Sequence, residues 1–395
     1  MYIREKYLEE LIRYKDTEFI KILTGVRRSG KSYILEMFKQ HLLKSGIHDE
    51  FIINLNFENL ELGKLLTYEA LYGYLKERIT KKQKYYVLFD EIQMVGNWQR
   101  LINGLRISFD CDIYITGSNA DLLSGELATH LSGRYVEIKV FPFSFKEYCE
   151  FKGIVEAPNE LHFDDYMKYG GFPSIIPFDD KKLVQNVLLG IYNSIILKDV
   201  SLRGGISNID LLLSVMNFLF DNIGQSISCN NIVNYLISKG RKARNEIVEK
   251  YLSLLENSFI FYKVKRYDIR GKEYLKTLGK YYAVDTGLRS AVLGRQDINQ
   301  GSIVENIVYI ELVRRGYKVF VGKYETNEID FVCLGSDETL YIQVTQQLPS
   351  GPREQTPLLK IKGGYKKMII TNNRMDVGVV DGIPVIHIVD FLLKV

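Results

Sequence analysis

An α/β protein of several domains is what this sequence predicts, and three features predict it. Near the N-terminus a buried-strand pattern runs through a glycine-rich loop into an amphipathic helix. Strand and helix patterns then alternate as far as residue 150. Near the C-terminus a helix is followed by three strands, the last two joined by a tight turn. A chain of 395 residues is long for one core, so two or three domains are expected, and 46% hydrophobic with 25% charged residues is a globular composition.

After an amphipathic, charged helix at "MYIREKYLEELIRYKD", "FIKILT" (19–24) is a buried strand, and "SYILEMFKQHLL" (32–43) is a helix with Ile34, Leu35, Phe38 and Leu42 on one face. Between them "GVRRSGKS" matches G-x-x-x-x-G-K-[ST] in the strand-to-helix setting that the motif requires. Gly25 and Gly30 allow the backbone N–H groups to wrap phosphates, and the helix N-terminus adds partial positive charge. The cradle is expected over Gly25, Arg28, Ser29, Gly30, Lys31, Ser32 and Tyr33, with Lys31 on the β- and γ-phosphates and Ser32 on Mg²⁺. The arginines Arg27 and Arg28 have no assigned partner, whether a neighbouring helix or another subunit.

Next, "FIINLNFE" reads as a strand, and "KYYVLFDEIQ" as an apolar strand ending in Asp90-Glu91. Asp90 suits a water-mediated contact to Mg²⁺, and Glu91 stands where a carboxylate polarises the attacking water, which implies hydrolysis. "CDIYITGSNADLL" delivers Ser118 and Asn119 at the end of a further strand, where a polar group senses the γ-phosphate or caps the following helix.

The segments "GVRRSGKS", "DEIQMVGNW", "TGSNADLL", "LSGR" and "FPFSFKEY" resemble a large prokaryotic group of AAA-type ATPases. That resemblance implies an additional strand between the two Walker strands and a C-terminal domain of unknown function. It includes "GGFP" (170–173) and "LKDV" (197–200), and Arg134 of "LSGR" as either an arginine finger, in cis or in trans, or a structural ion pair. The group reads "TGSS" where this chain has "TGSN". The catalytic set expected is Lys31, Glu91, Asn119 and Arg134, with ATP and Mg²⁺ as cofactors.

Past residue 150 two long apolar helical stretches read as a helical lid. Residues 226–284 have the rhythm of a winged helix: a helix, a basic turn, a second helix and a β pair with "RGK" at its tip. From Lys239 to Lys280 twelve Lys/Arg stand against five Asp/Glu, in a chain whose net charge is only +4. Lys239, Arg241, Lys242 and Arg244 before the second helix, with Arg270 and Lys272 at the wing tip, lie where a module of this kind meets phosphates.

The last hundred residues are similar to the PD-(D/E)xK nuclease fold, in which a helix Glu, a strand Asp and an E-x-K pair assemble one Mg²⁺ site. Glu305 and Asp330 fill the first two places. Gln343 and Thr345 of "LYIQVTQQL" stand where Glu and Lys belong. A neutral amide in place of a charge weakens the hold on the ion, and Thr345 cannot act as the cation. Cleavage by this domain is therefore not expected.

The expected plan is an ATPase core at 1–150, a lid at 151–224, a winged-helix-like module at 225–295 and a nuclease-like domain at 296–395. The expected activity is Mg-dependent ATP hydrolysis coupled to binding of DNA or a partner protein. The alternatives are a switch or scaffold acting on a protein and, less favoured, an ATP-dependent nuclease; a homo-oligomer fits the arginine-finger role. No segment reads as a signal peptide or a membrane span, the five histidines are too scattered for a zinc site, and the four cysteines read as buried thiols of a cytoplasmic protein.

Overall fold

The computed structural model describes residues 2–80, 83–123, 133–154, 158–271, 273–294 and 300–394. The chain divides into two compact units, Met1–Phe141 with Asn257–Phe259, and Pro142–Glu256 with Ile260–Val395.

The first unit is a three-layer sandwich. Its elements are α1 (Glu5–Arg13), β1 (Ile20–Thr24), α2 (Lys31–Lys44), β2 (Ile52–Asn56), α3 (Tyr68–Arg78), β3 (Tyr85–Asp90), α4 (Trp98–Ser108), β4 (Cys111–Gly117) and β5 (Tyr135–Lys139). The five strands are all parallel in the order β2-β3-β4-β1-β5. A strand that follows β3 in sequence thus separates β1 from β3, the additional strand that the resemblance implies. Alternation along β3 sends Tyr85, Val87 and Phe89 to the face covered by α3 and α4, and Tyr86 and Leu88 to the face covered by α1 and α2. Both faces are dry, which is why β3 reads as an unbroken apolar run.

One charged pair lies inside this sheet. Lys21 of β1 is fully buried and its ammonium bonds to Asp112 of β4, which also accepts from Tyr114 Oη at 2.8 Å and the Asp16 N–H at 2.8 Å. Burial pushes the Lys21 pKa down, and Asp112 opposes that shift.

The second unit opens with helices Phe145–Phe151, Glu160–Tyr169, Lys181–Ser194 (running on as a π-helical stretch, Ile195–Leu202) and Ile209–Asp221. Gly170 and Gly171 turn the chain here. Gly170 has φ 77°, and a side chain on Gly171 would come within 2.2 Å of the Phe143 carbonyl. Asp285 locks this turn, accepting from the N–H groups of Gly171 (2.7 Å), Gly287 (2.9 Å) and Leu288 (3.3 Å).

The remaining strands are β6 (Ser226–Ile227), β7 (Phe261–Asp268), β8 (Glu273–Ala283), β9 (Lys318–Tyr324), β10 (Asn327–Leu334), β11 (Thr339–Thr345), β12 (Lys366–Thr371), β13 (Gly378–Val380) and β14 (Ile383–His387). They form one nine-stranded sheet, β13-β14-β12-β11-β10-β9-β7-β8-β6. β7 pairs parallel with β9 through Arg266↔Val321 and Tyr267↔Gly322, so the sheet runs unbroken across the boundary expected at 295/296. Cys149 and Cys333 are buried, whereas Cys111 and Cys229 are only half-buried, and all four are free thiols.

Candidate nucleotide site

The C-terminal ends of β2, β3, β4 and β1 lie side by side, and the residues predicted for the nucleotide site, Arg134 apart, sit there. The loop after β1 bends through two glycines. Gly25 has φ 146° and packs so closely on the chain just after β5 that an added Cβ would stand 2.1 Å from the Val140 carbonyl oxygen. Gly30, with φ 100°, precedes α2. Lys31 is buried, and its Nζ donates to the carbonyls of Gly25 at 2.9 Å and Val26 at 3.1 Å. Ser32 is exposed at the first turn of α2, Arg28 is exposed with φ 68°, and Tyr33 donates its hydroxyl to the Tyr2 carbonyl at 2.9 Å. The Ser29 hydroxyl is buried without a hydrogen-bond partner among the described residues.

A buried arginine that sequence reading passed over braces this loop. Arg4 Nη1 donates to the Ser29 carbonyl and Nη2 to the Phe141 carbonyl, both at 3.0 Å, and the guanidinium lies over the Tyr7 ring at 4.4 Å. Arg27, by contrast, pairs with Glu58 at 2.8 Å.

Across the sheet, Asp90 is buried and accepts from Thr116 Oγ1 at 2.5 Å and Asn56 Nδ2 at 2.9 Å. The Thr116 hydroxyl also accepts from the Glu91 N–H at 2.9 Å, so one side chain on β4 fixes both acids. Glu91 is 7% exposed and has φ 55°, an uncommon backbone for a residue with a side chain. Its carboxylate accepts from Gln93 Nε2 and from Ser118 Oγ at 3.3 Å. Ser118 therefore touches the candidate base. Asn119 is buried one residue further on, its carbonyl accepting from the Leu122 N–H at 3.2 Å. Thr116 and Asn56 had a signal in the sequence: both are polar residues in the last two positions of their strands.

Arg134 stands elsewhere. It is exposed just before β5, and its carbonyl accepts from the N–H of Ile20, the first residue of β1. The loop after Thr24 is at the other end of that strand, roughly 15 Å away at the usual rise per residue. An arginine side chain does not span that gap, which corrects the cis form of the finger.

In the second unit, Lys239, Arg241, Lys242 and Arg244 are all exposed, between helices Cys229–Ser238 and Asn245–Asn257. Arg241 donates to the Asp210 carbonyl at 3.1 Å. Arg270 is exposed at the tip of the β7–β8 hairpin, 3.6 Å from Glu325, while Lys272 lies outside the described residues.

The expected nuclease-like residues converge only in part. Asp330 on β10 is buried, with one carboxylate oxygen accepting from the Val344 N–H at 2.8 Å and its own N–H 3.4 Å from Gln343 Oε1. Glu305, on helix Gln300–Arg314, accepts from Tyr282 Oη at 2.6 Å. Thr345 turns away to donate to the Gln347 carbonyl at 2.8 Å. Burial first, and the nearby Glu305 charge second, push Asp330 well above the usual carboxylate range. Among the described residues no group of three or more His, Cys, Asp or Glu side chains could hold a metal ion.

The parallel sheet with its inserted strand, the glycine-bent loop after β1 and the acid pair ending β3 define the class of the first unit: its fold is that of a P-loop domain of the AAA type. Residues 17–149 match the family model of an AAA domain, and residues 160–299 match that of a domain of unknown function, DUF8612. An uncharacterized protein of Haemophilus influenzae is 48% identical over 397 residues, covering 100% of this chain and 99% of that protein. The uncharacterized protein MJ1544 of Methanocaldococcus jannaschii is 31% identical over 354 residues, 85% of this chain and 76% of that one. The chain belongs to the family of these proteins. Among solved structures, the Walker-type ATPase PABY2304 of Pyrococcus abyssi superposes with a TM-score of 0.54 at 17% identity over 74% of this chain and 96% of that chain, a likeness of fold. No helix among the described residues is long and apolar enough to cross a membrane.

Proposed function

We propose that the loop from Gly25 to Tyr33 binds ATP and that Glu91 polarises the water that attacks the γ-phosphate. One observation carries this reading. Glu91 is buried beside Asp90 with a left-handed backbone, and two side chains, Ser118 and Gln93, hold its carboxylate. Unusual backbone of this kind persists where the surroundings over-determine it, as they do around catalytic groups. Lys31 exchanges two neutral carbonyls for charged phosphate oxygens when nucleotide enters, and the Ser29 hydroxyl gains an acceptor. The hydroxyl of Ser32 and the carboxylate of Asp90 are hard oxygen donors suited to Mg²⁺, which when bound supplies positive charge to the β- and γ-phosphates. Glu91→Gln should bind ATP within about threefold of wild type while steady-state turnover falls at least about 100-fold, the usual worth of general-base assistance. Turnover within tenfold of wild type removes Glu91 from that role. Arg134 is assigned to a neighbouring copy, so specific activity should rise with protein concentration and Arg134→Ala should abolish that rise.

ATP state, in this reading, controls how the second unit engages DNA. Helix Ile209–Asp221, β6, two helices and the β7–β8 hairpin follow one another in winged-helix order, and the basic residues of the turn are solvent-facing. The competing reading, a protein target, draws on exposed Glu246 and Glu249 in the helix that would approach the groove. Alanine at Arg241, Lys242 and Arg244 together should flatten the salt dependence of duplex binding by about three in log–log slope. Salt-insensitive or undetectable duplex binding by the wild type favours the protein target.

A further inference from the structure

The acidic residues expected to hold a metal in the C-terminal sheet surround a lysine instead. Lys280 of β8 is 5% exposed. Its Nζ lies 2.9 Å from Glu305 Oε1, 3.0 Å from Glu328 Oε1 and 3.8 Å from Asp330 Oδ1. Glu328, two residues before Asp330 on β10, shares its face by the two-residue period of a strand. An ammonium has three N–H donors, and here three carboxylates face it. Arg266 of β7 takes the second oxygen of Glu328 at 3.2 Å.

We propose that the Lys280 ammonium is the resident cation of this site, taking the place of the divalent ion in the nucleases that the sequence resembles. The contacts suit a lysine and not a metal. Oxygens gathered at 2.9–3.8 Å around nitrogen stand about 1 Å or more outside the shell that Mg²⁺ demands. An ion could enter only if the ammonium left, and Lys280 is held in a sheet strand whose last residue, Ala283, is tied to Asn306 on the Glu305 helix by bonds of 2.7 and 2.8 Å. Gln343 fits this arrangement, since a glutamate there would add a further charge that one ammonium could not balance. The lysine fastens the β8 hairpin to helix Gln300–Arg314 and to β10 and leaves the site metal-free. None of this depends on the nucleotide site.

The test is Mn²⁺ titration of the nucleotide-free full chain, followed by electron paramagnetic resonance. Asp90→Asn is included in every sample to silence the nucleotide site. With Lys280 present, no stoichiometric Mn²⁺ should bind. Lys280→Ala should gain one Mn²⁺ per chain with affinity raised at least about tenfold, the least expected from removing an adjacent positive charge. Adding Asp330→Asn should remove the gain. Should Lys280→Ala fail to fold, Lys280→Met keeps the aliphatic stem and is scored in the same way. Stoichiometric Mn²⁺ binding with Lys280 in place, lost on Asp330→Asn, overturns the proposal, and so does a folded Lys280 variant that gains no site.

Discussion

Replacing Arg4 by alanine should both destabilise the first unit and loosen its grip on nucleotide. Arg4 is 1% exposed, and its guanidinium makes two hydrogen bonds of 3.0 Å to backbone carbonyls, besides lying over Tyr7. Hydrogen bonds to a charged group contribute about 1.5–3 kcal/mol each, and the ring contact about 0.5–1 kcal/mol. Burying the guanidinium offsets part of that, and a net loss of about 3 kcal/mol is expected. The effect on binding follows from peptide planarity. The C=O of Ser29 and the N–H of Gly30 belong to one rigid trans peptide and point in opposite directions. Arg4, by holding that carbonyl, aims the Gly30 N–H away from itself and into the loop. Without it the peptide is free to rotate, and ATP affinity should fall about tenfold, equivalent to about 1.4 kcal/mol. Trp98, the single tryptophan, is buried in α4 of the same unit and reports its urea unfolding by fluorescence. A fluorescent ATP analogue reports affinity. A loss under about 1 kcal/mol together with affinity within twofold of wild type would refute the brace; Arg4→Lys, a point charge without the planar fork, should fall between.

Three further outcomes are expected. Gly25→Ala places a methyl 2.1 Å from the Val140 carbonyl oxygen at φ 146°, so ATP binding should weaken more than tenfold and stability should fall by about 2 kcal/mol or more, read by calorimetry. Asp112→Ala strands the buried Lys21 ammonium and should cost about 3–5 kcal/mol, visible as an early Trp98 transition in urea. The third concerns pH and Asp285, whose carboxyl burial pushes up to about 6, the N–H groups of Gly171, Leu288 and Gly287 opposing the shift. The folded state holds this proton more tightly than the unfolded chain does. Its stabilising contribution is therefore complete below about pH 4 and is lost as pH rises to about 6, by up to about 3 kcal/mol. Asp285→Asn should flatten that slope in calorimetric scans between pH 4 and 7.

The first unit was legible because its signals are local. A strand buried on both faces is an apolar run, a phosphate loop is a fixed spacing of glycines, and an acid pair closes the next strand. What stayed hidden depends on pairing between distant segments. Arg4 reads as one more charge on an amphipathic N-terminal helix until β5 brings the Phe141 carbonyl beside the Ser29 carbonyl. The parallel pairing of β7 with β9 joins segments separated by a hairpin and two helices, and no periodicity announces it. Arg134 shows what a motif leaves open: the "LSGR" resemblance allowed a finger in cis or in trans, and strand register places the residue at the end of β1 away from the loop after Thr24.

Lys280 makes the same point about charge. Counted along the chain it belongs to the basic stretch read as a phosphate-binding surface, yet in the fold it is buried, enclosed by Glu305, Glu328 and Asp330. The exposed patch is correspondingly smaller than the sequence count, and its core is the turn from Lys239 to Arg244. The C-terminal substitutions also become consistent with one another. A cation brought in from β8 relieves β11 of supplying a lysine at 345, and a neutral amide at 343 spares the cluster a further carboxylate. The uncharged residues at 343 and 345 and the burial of Lys280 are then two sides of one electrostatic balance, held within a single sheet.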